Sequence, residues 1–450
     1  MTLMEYTRIS LFRLAACFTL LGVPFIVQGQ ERPAPKEPEN NLAYVTEQPE
    51  SSGFAVELHS AASWDDNILG NNARRIRDYV FEEGGLFSIW TKGPGWKLGL
   101  DYRPNALLYR TASNFNQLDQ RLDFDNEFHA GRHLVFRLKD SLDYATGVVE
   151  PLTNGDVSIP GGSASNLNTT LFTPFARQFA NEASGEVEYD VSHRTSFDFS
   201  GGHAFRRFSN IGNANTSPPP SLFGTQSDLG GGTYSYRVTR HFTTGLEYQY
   251  QDLRFSQSFH DITHGAFLRV LWDINPYATL SFFGGAEYSN SVGQFLVPST
   301  NPLQPGNVLI TQRTMRWNPG GGGSVTFRSN RTVIRLTAHQ LVSDGGGLLP
   351  AVTNSYAGVE IRRRMAWQWD IALTGSNARS IALQGPNGKG AFDTQAAGVA
   401  LEHPLVQTLS LHLGYNYLHQ RANQSVPLAL DVDRNRFTLG LFFRTHDYRF

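Results

Sequence analysis

The polar residues that could do chemistry in this chain are acidic and basic side chains placed two positions apart. Asp123, Asp125 and Glu127 form one such row, and Glu186, Glu188 and Asp190 form another. Residues two apart share a face of an extended strand, so each row projects its charges into one space. The full set predicted to share that space is Lys97, Asp101, Arg103, Asp123, Asp125, Glu127, Arg137, Lys139, Glu186, Glu188, Asp190, Glu247, Arg335 and Arg362.

Two interpretations of these rows remain open. In the first, acids and bases form salt bridges that only keep a wall solvated. In the second, acids face bases across a constriction and create a transverse field that orients and filters polar solutes. Both can hold at once.

Catalytic signatures are missing from the sequence. It contains no G-x-S-x-G, H-E-x-x-H or P-loop pattern. His129, His339 and His412 fall on predicted polar faces, where a solvated side chain is the simplest explanation. The glycine-rich run at residues 385–390 lacks the spacing and the following helix of a phosphate site. We therefore expect no enzyme activity, no catalytic residue, no cofactor and no metal.

Composition separates this chain from ordinary soluble domains. Of 450 residues, 17% are charged and 12% aromatic, and there are 43 glycines. Mean hydropathy is −0.32, and no stretch after Gln30 is long and apolar enough for a spanning helix. The net charge of −2 lacks the basic excess that marks nucleic-acid binders.

The first residues are typical of a secretory signal. Arg8 and Arg13 precede an apolar run over residues 14–27, which predicts cleavage near Gly29. A lipoprotein box at Cys17 is the disfavoured alternative, because most of the apolar run follows it. Cleavage would remove the one cysteine of the chain. The predicted domains are a signal peptide at 1–29, a flexible periplasmic tail at 30–52 and a membrane barrel at 53–450.

Alternation with a period of two dominates the rest of the chain. In residues 407–419, QTLSLHLGYNYLH, the apolar face carries Leu409, Leu411, Leu413, Tyr415 and Tyr417, and the polar face carries Ser410, His412, Gly414 and Asn416. Similar segments recur from residue 53 onward, separated alternately by short turns and by long loops rich in Gly, Pro, Asn and Ser, among them residues 290–313 and 377–392.

That alternation of turns and loops predicts an all-β, antiparallel up-and-down transmembrane barrel with short periplasmic turns and long extracellular loops. About 18 strands can be counted, and 16 is the alternative, because the segments at 54–64 and 320–327 carry the weakest patterns. The sheet must close, because an open edge in hydrocarbon leaves backbone groups unpaired at several kcal/mol each.

The C-terminus adds a second signal. Phe450 is terminal and Tyr448 lies two residues earlier, as in the aromatic membrane-insertion signal of bacterial outer-membrane proteins. The apolar face of the last strand, Phe437 to Phe443, has the opposite parity. A bulge or a short tail beyond the strand would reconcile the two.

Short motifs near the front resemble a known group. Three short motifs, Asp65-Asp66-Asn67, Arg77-Asp78-Tyr79 and Tyr109-Arg110, are similar to motifs of the putative β-barrel porin 2 group and of barrels encoded beside exopolysaccharide-export machinery. The resemblance implies an architecture and a location more than a substrate. From the residues alone, Asp65 to Asn67 predict a turn, and calcium binding is the less favoured alternative.

These observations favour a porin-like channel in the bacterial outer membrane that passes small polar solutes. The alternatives are an accessory barrel for exopolysaccharide export and a plugged structural barrel. Expected partners are outer-membrane lipids and lipopolysaccharide, the barrel-assembly machinery, polar solutes and further copies of the chain, with no nucleic acid. The loop at residues 147–177 is the predicted inward-folding constriction.

Overall fold

A computed structural model describes residues 52–68, 70, 72, 75–146, 176–210, 222–256, 258–298, 307–384, 390–423, 431–445 and 448–449. The chain forms one sheet of antiparallel strands. The strands are β1 (Gly53–Asp65), β2 (Asp78–Gly93), β3 (Trp96–Tyr109), β4 (Gln117–His129), β5 (Leu134–Thr146), β6 (Ala176–Ser192), β7 (Thr195–Asn210), β8 (Thr225–Thr239), β9 (Phe242–Phe255), β10 (Phe259–Asn275), β11 (Ala278–Pro298), β12 (Asn307–Arg328), β13 (Thr332–Gly345), β14 (Leu349–Arg364), β15 (Asp370–Ala382), β16 (Ala391–Val406), β17 (Leu409–Ala422), β18 (Val432–Arg444) and β19 (Tyr448–Arg449).

The sheet closes into an 18-stranded barrel. Each strand pairs with its sequence neighbours, and β1 pairs with both β2 and β18, so the first strand seals against the last. The two weakest sequence segments are full strands, β1 and the glycine-rich end of β12. The count of 18 is therefore confirmed, and the alternative of 16 is wrong.

The short strand β19 continues β18 along β1 after an interruption. Glu57 pairs with Arg444, whereas Phe54 pairs with Tyr448, so three steps along β1 match four along the C-terminal strand. One extra residue is accommodated there, which is the geometry of a bulge. The predicted change of parity before Tyr448 is confirmed, while Phe450 lies outside the described residues.

Side chains divide by parity between the outside and the inside of the barrel. On β18 the exposed set is Phe437, Leu439, Leu441 and Phe443, and on β2 it includes Tyr79, Phe81, Phe87 and Ile89. Exposed aromatic residues concentrate near both ends of this apolar surface, as interfacial girdles do. They include Tyr79, Tyr144, Tyr248 and Trp317 towards the loops, and Trp96, Phe128, Tyr189 and Trp272 towards the turns. The predicted apolar exterior is the exterior of the barrel.

Several strands extend further than the sequence indicates. Residues 290–313 were expected to form a loop, but β11 and β12 stay paired out to Pro298 and Asn307. The loop predicted at 377–392 is likewise shortened by β15 and β16. Polar and glycine residues mask the alternation there, because beyond the membrane a ribbon needs no apolar face. Among the described residues, no helix is both long and apolar enough to cross a membrane.

Glycine at one position in β12 allows inner side chains to pack close to the wall. A Cβ at Gly322 would lie 2.6 Å from the Cβ of His339 and 2.6 Å from the carbonyl of Ala338. The glycine at this position therefore gives room at the β12–β13 contact.

Candidate functional site

The sequence-predicted charged residues line the inner wall. On β3 the outward positions Trp96 and Tyr102 are exposed, which places Lys97, Asp101 and Arg103 inside. The same alternation on the other strands places all fourteen predicted residues on the inward face. They are Lys97, Asp101, Arg103, Asp123, Asp125, Glu127, Arg137, Lys139, Glu186, Glu188, Asp190, Glu247, Arg335 and Arg362.

Arg137 is the centre of the strongest charged group. Its Nη1 donates to Glu186 at 2.9 Å, its Nη2 to Glu188 at 2.8 Å and its Nε to Glu127 at 3.3 Å. Glu127 also accepts from Lys97 at 3.2 Å. One guanidinium thus serves three carboxylates on the two neighbouring strands β4 and β6.

A second group lies beside it on β3 and β4. Arg103 donates to Asp123 at 2.5 Å and to Asp101 at 3.1 Å, and Arg121 donates to Asp123 at 2.9 Å. Asp125 and Lys139 lie opposite each other in the β4–β5 register. The bonds of both groups run sideways along one wall.

This arrangement differs from the predicted field across a constriction. Acids and bases are paired between neighbouring strands of the same wall. The reason is geometric, because inward residues of adjacent strands are about 5 Å apart while the opposite wall of such a barrel is far beyond salt-bridge range.

The remaining predicted residues lie elsewhere on the wall. Glu247 on β9 is paired with Arg269 at 3.3 Å and is almost fully buried. Arg362 bonds Glu360 at 2.7 Å, and Arg335 lies 3.5 Å from the same carboxylate. The structure therefore separates the fourteen residues into a large group on β3–β6 and two smaller ones.

Carboxylates outnumber basic side chains on the wall formed by β3–β7. Its inward acids are Asp101, Asp119, Asp123, Asp125, Glu127, Asp143, Glu182, Glu186, Glu188, Asp190 and Asp198. Its inward bases are Lys97, Arg103, Arg121, Arg137, Lys139 and Arg206. We call this surface the acidic wall. It makes the interior electronegative on one side.

Three of these acids come close together. Carboxylate oxygens of Glu186, Glu188 and Asp198 lie within 4.8 Å of one another. Arg137 already bonds two of the three. The triad is thus part of the Arg137 network, whose cation holds the carboxylates together.

A hairpin formed by the loop ends of β13 and β14 folds into the barrel. β13 pairs with β12 only as far as Gln340, and beyond that point its partner is β14. The amide of Val342 donates to the inward carboxylate of Glu287 on β11 at 3.1 Å. The hairpin therefore leaves the wall and passes inside β11 and β12.

The tip of this hairpin reaches the wall at β7. Arg206 Nη1 lies 3.2 Å from Asp344 Oδ2, and both side chains are buried. The carbonyl of Gly347 accepts from the amide of Phe223 at 2.9 Å, and Gly347 packs against the ring of Phe208. We call residues 341–352 the inner hairpin. It spans the interior from β13 to β7.

Apolar contacts hold the inner hairpin in place. Leu348, Leu349 and Val352 pack with Ala382 and Phe392 in one buried cluster. Val342 and Ala351 pack with Leu253, Phe255 and Leu383 in a second. Inward residues of β10 and β11 beneath it, including Asp261 and Ser289, are almost fully buried. The hairpin covers the loop end of β8–β12.

The sequence did not indicate this hairpin. The predicted constriction lies instead at residues 147–177. Most of that loop lies outside the described residues. The signal available was the apolar pair Leu348-Leu349 followed by Ala351 and Val352, which interrupts the alternation where both faces become buried.

The motifs near the front form a polar clasp at the β1–β18 seam. Asp65 accepts from Arg434 Nε at 2.8 Å, and both residues are buried. Asp66 accepts from the amide and the side chain of Asn435, each at 2.7 Å. Asn67 donates its amide to Asp65 at 2.9 Å, which is the expected Asx turn. The turn interpretation of this motif is confirmed, and its acids serve Arg434 and Asn435.

Asp78 lies opposite Asp65 in the β1–β2 register and extends the clasp. It is on the loop side of Tyr79, outside the apolar belt. Its carboxylate accepts from the amides of Tyr79, Thr111 and Ala112 at 2.8 to 3.1 Å. Burial acts to raise the pKa of Asp78, but these backbone hydrogen bonds outweigh it and lower the pKa below its ordinary value. Arg110 stacks on the Tyr79 ring at 5.9 Å. The Arg77-Asp78-Tyr79 and Tyr109-Arg110 motifs therefore act structurally, since Asp78 and Tyr79 contact residues 110–112.

Comparisons with known proteins find similarity of shape alone. No family model matches this chain, and no curated protein matches it in sequence. Among solved structures, OpdQ of Pseudomonas aeruginosa has 10% identity and a TM-score of 0.44, covering 88% of this chain and 99% of that one. OpdF (OccK2) of the same organism, in complex with glucuronate, has 9% identity and a TM-score of 0.41, covering 88% and 99%. The siderophore receptor PirA of Acinetobacter baumannii has 7% identity and a TM-score of 0.44, covering 89% and 81%.

Proposed function

We propose that this protein is an outer-membrane channel that passes small polar solutes along the acidic wall. The observation that carries the proposal is the asymmetry of the interior. The inner hairpin covers β8–β12 at the loop end, while the charged residues of β3–β6 remain only partly buried. Solutes would pass between the hairpin and the acidic wall.

The chemistry of that wall sets the expected selectivity. Paired charges such as Arg137 with Glu186 and Glu188 offer both signs at one level, so a polar solute can exchange water for wall contacts as it moves. The excess of carboxylates concentrates cations. The channel should therefore prefer cations and solutes carrying a positive group.

Planar-bilayer recording of the purified protein tests this proposal. We expect stable conductance steps and, under a salt gradient, a reversal potential that reports cations as the more permeant ions. A correctly folded barrel that passes no current would overturn the channel proposal. Anion preference would overturn the role given to the acidic wall and leave conduction intact.

The inner hairpin also favours one alternative. A barrel obstructed by buried apolar clusters could serve as an accessory component of exopolysaccharide export that opens only with periplasmic partners. That function fits the resemblance carried by Asp65-Asp66-Asn67 and Arg77-x-Tyr79 to the putative β-barrel porin 2 group and to exopolysaccharide-operon barrels. It predicts a silent barrel that conducts when its partners are added.

Assembly follows from the same proposal. Residues 1–29 would direct export and 30–52 would form a periplasmic tail, and of these residues the structure describes only Ser52. Tyr448 and Phe450 would present the terminal signal to the barrel-assembly machinery. Signal cleavage can be read directly from the N-terminal sequence of the membrane-extracted protein.

A further inference from the structure

A group of charged side chains lies on the outside of the barrel, on four neighbouring strands. The group consists of His203 on β7, Asp228 on β8, Asp252 and Arg254 on β9, and His260 on β10. Each has the same parity as an exposed apolar residue of its own strand, namely Phe199, Tyr234, Leu246 and Leu268 on β7 to β10. We call this group the outer charged cluster. Outward charges are costly wherever lipid tails cover the wall, so their height on the barrel matters.

The two acids of the cluster are each bonded by two cationic or imidazole groups. Asp252 accepts from Arg254 Nη2 at 2.6 Å and from His260 Nε2 at 2.6 Å. Asp228 bonds His203 Nδ1 at 2.6 Å and Arg254 Nη2 at 3.2 Å. These contacts fix the direction of three nitrogen-bearing side chains at once.

Exposure differs among the members of the cluster. The Asp252 side chain is only 9% exposed, whereas Arg254 is 52%, His203 and His260 are each 44% and Asp228 is 39% exposed. Asp252 is thus the buried acid that orients Arg254 and His260. A ligand approaching Arg254 and His260 meets hydrogen-bond donors.

The cluster lies at the upper edge of the apolar belt. On β9, ten residues separate Phe242 at the turn end from Asp252. At about 3.3 Å per residue and a tilt near 40°, these residues rise roughly 25 Å, the height of a barrel's apolar band. Tyr248, which hydrogen-bonds His264, is an interfacial aromatic residue four positions below Asp252 on the same face of β9. The cluster therefore stands at the level of outer-leaflet headgroups.

Further basic residues extend this row on both sides. Arg207 is exposed on β7 and stacks on the Phe205 ring at 5.6 Å. Arg313 is exposed on β12, at the level of His260 through Val292, and bonds Asn290 at 2.9 Å. Arginines thus flank the cluster on β7 and β12.

We propose that the outer charged cluster binds the phosphate group of a phosphorylated glycolipid in the outer leaflet. Arg254 and His260 would donate to the phosphate oxygens from β9 and β10, with Arg207 and Arg313 closing on either side. Charge-assisted bonds to phosphate are among the stronger hydrogen bonds that side chains make. The inference needs the membrane insertion of the proposed function but does not depend on conduction.

Titration of purified protein in detergent with lipid A, with dephosphorylated lipid A and with inorganic phosphate tests the proposal. Native mass spectrometry would count bound lipid. We expect phosphorylated lipid A to bind, its dephosphorylated form to bind at least tenfold more weakly, and free phosphate to leave bound lipid unchanged. Equal binding of the two lipids would overturn the proposal. Displacement of lipid by millimolar phosphate would overturn the assignment to a lipid headgroup.

Variants locate the site. The double variant Arg254→Ala/His260→Ala should lose at least tenfold in affinity for phosphorylated lipid A, while Arg254→Lys/His260→Lys should keep most of it. Arg364→Ala is the matched control, because this arginine is 71% exposed beside Asp370 at the turn end. Unchanged affinity in the first variant would refute the site. Conductance should be equal in all of them, which separates this result from the channel proposal.

Discussion

At the scale of single residues, Arg137 neutralises part of the negative charge of the acidic wall, because it pairs with three carboxylates. Replacing it with alanine leaves Glu127, Glu186 and Glu188 without their shared cation. We expect the cation-to-anion permeability ratio to rise roughly two- to fivefold, because the wall becomes more negative where it is only partly screened. The measurement is the reversal potential under a salt gradient. Arg364→Ala, which removes the same charge at the exposed turn end, should leave the ratio unchanged.

The seam clasp makes a second prediction at the residue scale. Asp65→Ala leaves the buried Arg434 guanidinium without its carboxylate, and we expect a loss of about 3–5 kcal/mol in the free energy of unfolding. Urea unfolding of the protein in lipid vesicles measures it. Asp393→Ala, which breaks the exposed Arg379 pair at 3.6 Å, should cost less than about 1 kcal/mol. Equal losses in the two variants would contradict the assignment of the clasp.

At the scale of elements, the inner hairpin narrows the interior within the part of the chain that the structure describes. Deleting residues 344–348 removes the Asp344 contact and the Leu348 packing while leaving both strands in the wall. We expect single-channel conductance to rise roughly 1.5- to threefold, because less of the cross-section is filled. Unchanged conductance in a folded barrel would show that the passage is set elsewhere.

Breaking the Arg206–Asp344 contact tests how the inner hairpin is held in place without changing how much of the barrel it fills. Arg206→Ala/Asp344→Ala keeps the length of the hairpin but removes its buried tie to β7. The conductance of the fully open state should match the wild type, while current fluctuations increase, because the tip can leave the wall. Recording at fixed voltage resolves the two quantities. If the current fluctuations stay as small as in the wild type, the apolar clusters alone hold the hairpin in place.

At the scale of the whole molecule, closure depends on the last strand meeting the first. β18 and the short β19 supply every described partner of β1 on that side, with one extra residue between them. Deleting Phe450 should reduce the amount of heat-modifiable, membrane-inserted barrel severalfold while leaving signal cleavage intact. Cell fractionation with unheated electrophoresis checks this. Normal assembly of the shortened chain would refute the role given to the terminal aromatic residue.

The sequence by itself determined the barrel architecture, the two faces of the wall and the charged residues of the interior, and it left the strand count at 18 or 16. These follow from parity, which is local: a residue two positions from Leu439 faces lipid whatever the rest of the chain does. Even the bulge before Tyr448 could be predicted, because a conflict of parity is visible in the letters. The same rule placed Asp125, Arg137 and Glu186 inside without knowledge of their partners.

Only the tertiary structure decided which of those charges meet. Pairing of Arg137 with Glu188, the seam between Asp65 and Arg434, and the row from His203 to His260 all depend on the stagger between strands, which no single strand encodes. The inner hairpin is of the same kind. Its contacts join Asp344 to Arg206 and Leu349 to Phe392, which are far apart in sequence. Its apolar residues can be recognised as packing residues only when the closed barrel provides the interior in which they are buried.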